Sequence, residues 1–251
     1  MSTYQDALPI NPALSPYIET YRLIRGKKPL HAKEVLPRPG ATLFFDMQGM
    51  RFNGKEEVLR TPLIGFSTYP IHCATITEDR TCFVIKFNAY GLSRFISTSV
   101  DKFTNRVIDA ATIFGAGIEE LYASLQTATK LVEWIQLTET FLSSRLIEPD
   151  DITREIFRLA ERLRRMDEPV RLAAERKQVP LGARQLERRF KDLVGTDMTT
   201  YMRICRFDHA QSLLYTQEAL SLSQVGYEAG YFDPAHFSRD FKKLAGTRPG
   251  G

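Results

Sequence analysis

The sequence predicts an α+β protein: a small β-barrel or sandwich with appended helices over residues 1–148, followed by an all-α region over 149–251. Three observations lead there. The first part of the chain alternates in short β-branched and aromatic runs bounded by turn chemistry. From about Gly115 the apolar period lengthens to that of a helix. An eleven-residue segment, LERRFKDLVGT at 186–196, then returns as FSRDFKKLAGT at 237–247 with six identical positions, which marks a repeated structural unit.

Strands are expected over residues 17–25, 42–47, 63–67, 71–77 and 81–87, separated by Pro37-Arg38-Pro39-Gly40, Asn53-Gly54 and Glu78-Asp79-Arg80. The Asn-Gly pair tolerates positive φ at both positions and predicts a hairpin. In TCFVIKF, Phe83, Ile85 and Phe87 fall on one face and Cys82, Val84 and Lys86 on the other, because side chains alternate along a strand. Beyond Gly115, Ile118, Leu121, Tyr122 and Leu125 fit one helix, and Leu131, Trp134, Ile135, Thr138 and Leu142 a second. These helices, within 117–146, either pack on the β-rich part or pair with a second protomer. Glu148-Pro149-Asp150-Asp151 breaks the pattern, offers an N-cap and places the domain boundary. Ile152, Ile156, Leu159 and Leu163 follow as one apolar stripe.

Composition narrows the class. Hydrophobic residues make up 43% and charged residues 25% of the chain, as in soluble globular proteins. No apolar run reaches the length of a membrane span, and MSTYQDALPINP lacks the pattern of a secretory signal. Cys73, Cys82 and Cys205 have no metal-ligand spacing and leave one thiol over in any disulfide scheme, which predicts reduced, buried thiols in a cytoplasmic protein. With only His31 and His72 in the first 148 residues, no metal site is expected there, and no cofactor. No Gly-rich phosphate loop, nucleophile elbow or spaced acid–base pair occurs, so no enzymatic activity is predicted. Residues 1–150 carry 16 basic and 16 acidic side chains, whereas 151–251 carry 18 and 14. The net charge of +4 therefore lies with the repeat, which suits an anionic partner.

The second copy reads as chemistry. Residues 221–229 form a short helix ending at Gly230, which can take the left-handed turn. Asp233 caps the next helix with Pro234 at its first position. Phe237, Phe241 and Leu244 make its buried side, while Ala235, His236, Ser238, Arg239, Lys242 and Lys243 face outward. This is a helix-turn-helix, whose second helix fits the major groove of DNA. In the first copy Leu186, Phe190 and Leu193 are buried and Arg184, Gln185, Glu187, Arg188 and Lys191 face outward. Arginine suits guanine edges and glutamine adenine edges, while lysine neutralises phosphate. Glu187 either accepts from cytosine or pairs with Arg184 or Lys191 along its helix. Residues 199–216 form a linker helix with Met202, Cys205, His209 or Ala210, and Leu213 buried; at about 25 Å long it could hold two readers near the ~34 Å repeat of the major groove.

Residues 150–249 resemble the DNA-binding domain of the AraC/XylS family of bacterial transcription regulators. The resemblance rests on RQLERRFKDLVG, RICRFDHAQSLL and VGYEAGYFDPAHFSRDFKKLAGTRP. A weaker likeness, in LPRPGATLFFDMQG and FVIKFNAYGLSRFIS, links the first half to the sensor-type domains of some members. The resemblance implies promoter DNA and RNA polymerase as partners, and often a homodimer or an effector. Val179-Pro180 departs from the usual turn residues, Gly182-Ala183 from the usual capping serine, and Pro249-Gly250-Gly251 falls short of an aromatic-containing tail, through truncation or by nature. An effector would meet Phe44, Phe66, Phe83, Ile85 and Phe87, which otherwise fill a barrel core, as small barrels usually do. The competing readings are a protein–protein interaction module, which would tolerate Arg188→Ala and Arg239→Ala, and a ligand-binding sensor without strong DNA specificity.

Overall fold

The structure, a computed structural model, describes residues 2–27, 33–77, 79–165, 172–217 and 219–250; His31 and Glu78 lie outside them. The fold is α+β. Among the described residues nine strands form two open antiparallel sheets, so the β-rich part is layered and not a closed barrel. The larger sheet joins β1 (Ser2–Ala7), β2 (Ile18–Lys27), β8 (Asp79–Phe87), β4 (Thr42–Asp46), β6 (Pro62–Ile64) and β9 (Val107–Asp109) in that order. The smaller joins β3 (Lys33–Val35), β7 (Ile71–Thr75) and β5 (Met50–Phe52).

Register explains the layering. Tyr21 lies opposite Ile85 and Leu23 opposite Phe83 across β2 and β8; Leu43 and Phe45 lie opposite the same pair across β4. Alternation therefore puts Tyr21, Leu23, Leu43, Phe45, Phe83, Ile85 and Phe87 on one face. Helices α1 (Ala111–Phe114), α2 (Ala116–Thr127) and α3 (Leu131–Ser143) cover it, with Trp134 at 5.4 Å from the Phe83 ring and Leu125 and Leu142 in the same core. The other face, with Ile24, Phe44, Cys82 and Val84, packs on Met50, Phe52, Ile71 and Cys73 of the small sheet. The Asn53-Gly54 turn forms with positive φ at both residues. Its hairpin is reduced to one bridge between Met50 and Leu59, while the other edge of β5 pairs with β7.

The helical half comprises α4 (Asp151–Arg164), α5 (Leu172–Arg176), α6 (Ala183–Val194), α7 (Met198–Thr216), α8 (Leu222–Glu228) and α9 (Pro234–Ala245). Asp150 caps α4 by accepting from the Thr153 N–H at 2.7 Å. Ile156, Leu159 and Leu163 are buried as the stripe predicts. In α7 the buried set is wider than expected. Tyr201, Ile204 and Phe207 join Cys205, Ala210 and Leu213, whereas Met202 is only partly buried and His209 is exposed. The reason is that α7 contacts α4, α6, α8 and α9, so it has no single solvent face. The core around α7 also takes in Phe66, Ala89 and Tyr90 from the first half, with Tyr90 stacked on Phe157 at 4.0 Å. Among the described residues no helix is long and apolar enough to cross a membrane, and no group of three or more His, Cys, Asp or Glu side chains could hold a metal.

Candidate nucleic-acid interface

Two helix pairs build the site. In the second, the Ser221 hydroxyl caps α8 by accepting from the Gln224 N–H, and the Ser221 backbone N–H donates to the Gln224 side chain, a reciprocal capping box. Gly230, at φ +81°, turns the chain, and Asp233 caps α9 through the His236 N–H at 2.6 Å. The two helices can approach because α8 offers Gly226 to the Phe237 ring; a Cβ there would lie 3.0 Å from it. Phe237, Phe241 and Leu244 are buried, and Ala235, Ser238, Arg239, Lys242 and Lys243 are exposed. His236 is half-buried, its ring edge-on to Tyr231 at 5.3 Å.

The first pair, α5 and α6, turns without glycine. Val179 is buried, and the Leu181 N–H returns to its carbonyl at 2.8 Å. Gly182 occupies the N-cap of α6, with no side-chain hydrogen bond to offer. Leu186, Phe190 and Val194 form the buried side. Leu193, which the spacing puts in that register, is only half-buried, because the helix turns its last apolar contact to Val194. Arg184, Gln185 and Arg188 are exposed; with Glu187, Lys191 and Asp197 they line an open groove of about 800 Å³.

Charge is sorted between the two helices in one way. Every acidic side chain on α6 and α9 is engaged: Glu187 with Arg176, Asp192 with the Ser99 hydroxyl at 3.1 Å, and Asp240 with Arg203 at 2.5 Å and the Tyr231 hydroxyl at 3.2 Å. Glu187 thus pairs with Arg176 rather than with Arg184 or Lys191. Among the described residues Arg184, Arg188, Arg239, Lys242 and Lys243 have no ion-pair or side-chain hydrogen-bond partner. Lys191 differs, reaching Asp101 at 3.7 Å. The outward surface is therefore cationic and uncompensated, which suits an anion.

The helices sit on different sides of α7. Phe190 of α6 meets Tyr201 at 5.6 Å, and Phe241 of α9 meets Phe207 at 5.1 Å. These anchors are six residues apart, about 9 Å along the axis, so the girth of α7 as well as its length separates α6 from α9. The end of α6 is also clamped to the first half. The Thr104 hydroxyl donates to the Gly195 carbonyl, and Ser99 reaches Asp192.

The five residues named for an effector part company. Phe66, Phe83, Ile85 and Phe87 are fully buried in packed cores; Phe44 lines a cavity of about 830 Å³. Its floor is Ile24, Phe44, Met50 and Val84, and its outer wall is Asp208, Gln211, Ser212 and Tyr215 of α7. Lys86, Arg38 and Arg22 line it as well. Arg38 is held by Glu19 at 2.6 Å and Arg22 by Asp6 at 2.6 Å, whereas Lys86 has no such partner among the described residues. Burial, with the guanidinium groups of Arg38 and Arg22 beside it, pushes the Lys86 ammonium below the ordinary lysine value, against the pull of Glu19 and Asp208. Size drew attention to the aromatic face of β8; the signal for the open face was the alternation that puts Val84 and Lys86 opposite.

Comparison with known proteins agrees with this architecture. Residues 177–251 match the family model of a helix-turn-helix domain, and residues 7–109 match a domain of unknown function (DUF6597). The HTH-type transcriptional regulator GlxA of Rhizobium meliloti (strain 1021) is 34% identical over 85 residues, 34% of this chain; the match spans about a quarter (26%) of that relative's length. Two crystal structures of ToxT from Vibrio cholerae share the fold. An apo variant has a TM-score of 0.53 at 12% identity, covering 91% of this chain and 95% of that one. A second crystal form has 0.51 at 14%, covering 99% and 96%. The matched helix-turn-helix domain and the regulator that shares it agree with the resemblance of residues 150–249 to the DNA-binding domain of the AraC/XylS family of transcriptional regulators, and the ToxT structures share the fold of the whole chain.

Proposed function

We propose that this protein is a sequence-specific DNA-binding regulator that lays α6 and α9 into successive major grooves of one duplex. The observation that carries the reading is the sorting of charge: acids on both helices are tied to neighbouring groups, while Arg184, Arg188, Arg239, Lys242 and Lys243 have no ion-pair or side-chain hydrogen-bond partner among the described residues. Arg184, Gln185 and Arg188 from α6, and His236, Ser238 and Arg239 from α9, read base edges; Lys242 and Lys243 meet phosphate. Lys191, tied to Asp101, exchanges that partner for phosphate. RNA polymerase and a second protomer are the further partners this reading brings. The test is selection of bound duplexes from a random pool by the full chain, followed by titration at fixed salt. Arg188→Ala and Arg239→Ala should each lose ~1–3 kcal/mol on the selected site and relax one base position. Unchanged affinity in both variants would favour a protein-binding module.

The cavity beneath α7 supports a second layer, control by a small molecule. An apolar floor beside a half-buried Lys86 that has no ion-pair partner among the described residues suits an amphipathic organic anion, and the α7 wall would report its presence to both readers. Decanoate is a suitable probe. It should raise the melting temperature of the wild type and leave that of Lys86→Met unchanged.

A further inference from the structure

Two adjacent aromatic residues lead into α9, and the fold uses only one. Tyr231 is buried; its ring meets Phe237 at 5.2 Å and its hydroxyl donates to Asp240. Phe232 is 89% exposed, more than any other large apolar residue among those described. An apolar residue just before a helix N-cap ordinarily packs on the fourth helical residue, stapling the chain to the helix. Here that fourth residue is Phe237, and Tyr231, Gly226 and Phe241 already surround it. In the first copy the matching residue, Leu181, is half-buried against the helical core. Phe232 is thus free of any packing duty.

Its place in the chain is informative. It precedes Asp233, the cap of α9, and the N-terminal residues of a recognition helix are those that reach base edges in the groove. The exposed residues that follow it in α9 are Ala235, Ser238 and Arg239, with Lys242 and Lys243 farther along to draw in a polyanion. The apolar feature of a major groove is the C5-methyl group of thymine, and phenylalanine is among the side chains that contact it.

We infer that Phe232 is a specificity-determining residue whose ring packs on a thymine methyl group at the edge of the site read by α9. The inference rests on the DNA-binding reading above. It is tested on the selected duplex by replacing each thymine near the α9 half-site with deoxyuridine, which lacks the methyl group, and titrating at fixed salt. The wild type should lose about fourfold at one position, the factor for one buried methyl-sized group. Phe232→Ala should lose about as much on the thymine duplex and be indifferent to uracil there, while Phe232→Leu keeps part of the discrimination. Because Phe232 is exposed, both variants should melt with the wild type. A Phe232→Ala protein that keeps wild-type affinity, or that weakens on every duplex while still distinguishing thymine from uracil, overturns the contact. So does one with unchanged DNA affinity but reduced transcription, which would assign Phe232 to a polymerase surface. A random pool that yields no enriched sequence overturns the DNA-binding reading itself, and this inference with it.

Discussion

Gly195 and Gly246 end α6 and α9 at matching places in the repeat, and only the first is pressed against the β-rich half. Both have positive φ, +98° and +77°, so alanine at either costs the left-handed penalty of about 1–2 kcal/mol. At Gly246 the added Cβ meets Pro70 Cγ at 3.9 Å, an ordinary contact. At Gly195 it lands 3.1 Å from Thr104 Oγ1, 3.2 Å from Phe66 Cβ and 3.3 Å from Val100 Cγ1. None of these is the far end of a flexible side chain: a Cβ moves only with its backbone, and Thr and Val are stiff at χ1. Overpacking such a site costs ~1–3 kcal/mol. Gly195→Ala should therefore destabilise by ~2–5 kcal/mol against ~1–2 kcal/mol for Gly246→Ala. The difference belongs to the junction between the halves. Melting followed by circular dichroism at 222 nm reads it: at about 2–4 °C per kcal/mol for a chain of this size, Gly195→Ala should melt several degrees below Gly246→Ala. Equal melting temperatures would refute the reasoning, since they would show a junction that yields where the packing says it resists.

Three further outcomes follow from the helix ends and the charges. Gly182 caps α6 with φ −63° and open space around its Cβ, so Gly182→Ser should add a few tenths of a kcal/mol, measured as a higher urea midpoint; a loss would mean the N-terminus of α6 is already satisfied. Burial would raise the Asp197 carboxyl, but the Thr200 N–H and hydroxyl outweigh it and hold the carboxyl below its ordinary value. A depressed folded value gives stability that is present above the unfolded pKa and lost as pH falls through the folded one. Asp197→Ala should thus cost about 1 kcal/mol at neutral pH and progressively less in acid below about pH 4; a cost that does not change with pH counts against the capping account. Lys242→Ala should weaken all duplexes alike and lower the slope of log affinity against log salt by about 0.9; an unchanged slope removes Lys242 from the phosphate contacts.

Parts of this molecule were legible before any coordinates because their causes are local. Asp150 and Asp233 cap helices by side chains reaching three residues ahead, and Gly230 takes a conformation that other residues resist. The outward residues of α6 and α9 followed from helical spacing, and the repeat itself marked them as a pair. Three-residue strands such as β5 and β9 escaped notice, because each exists only through a partner far along the chain. The polar strand β1 likewise forms because β2 offers it an edge.

The sequence by itself determined the α+β order, the two amphipathic helices of the repeat and the alternation of β8, since periodicity, capping and turn chemistry act over a few residues. Tertiary structure alone decided which face of β8 was filled and which left a cavity, because that depends on α1, α2 and α3 covering Phe83, Ile85 and Phe87. It also decided which charges stay unpaired. Arg176, Ser99 and Arg203 take up the acids of α6 and α9 from elsewhere in the chain, and no local pattern foretells partners brought together by folding.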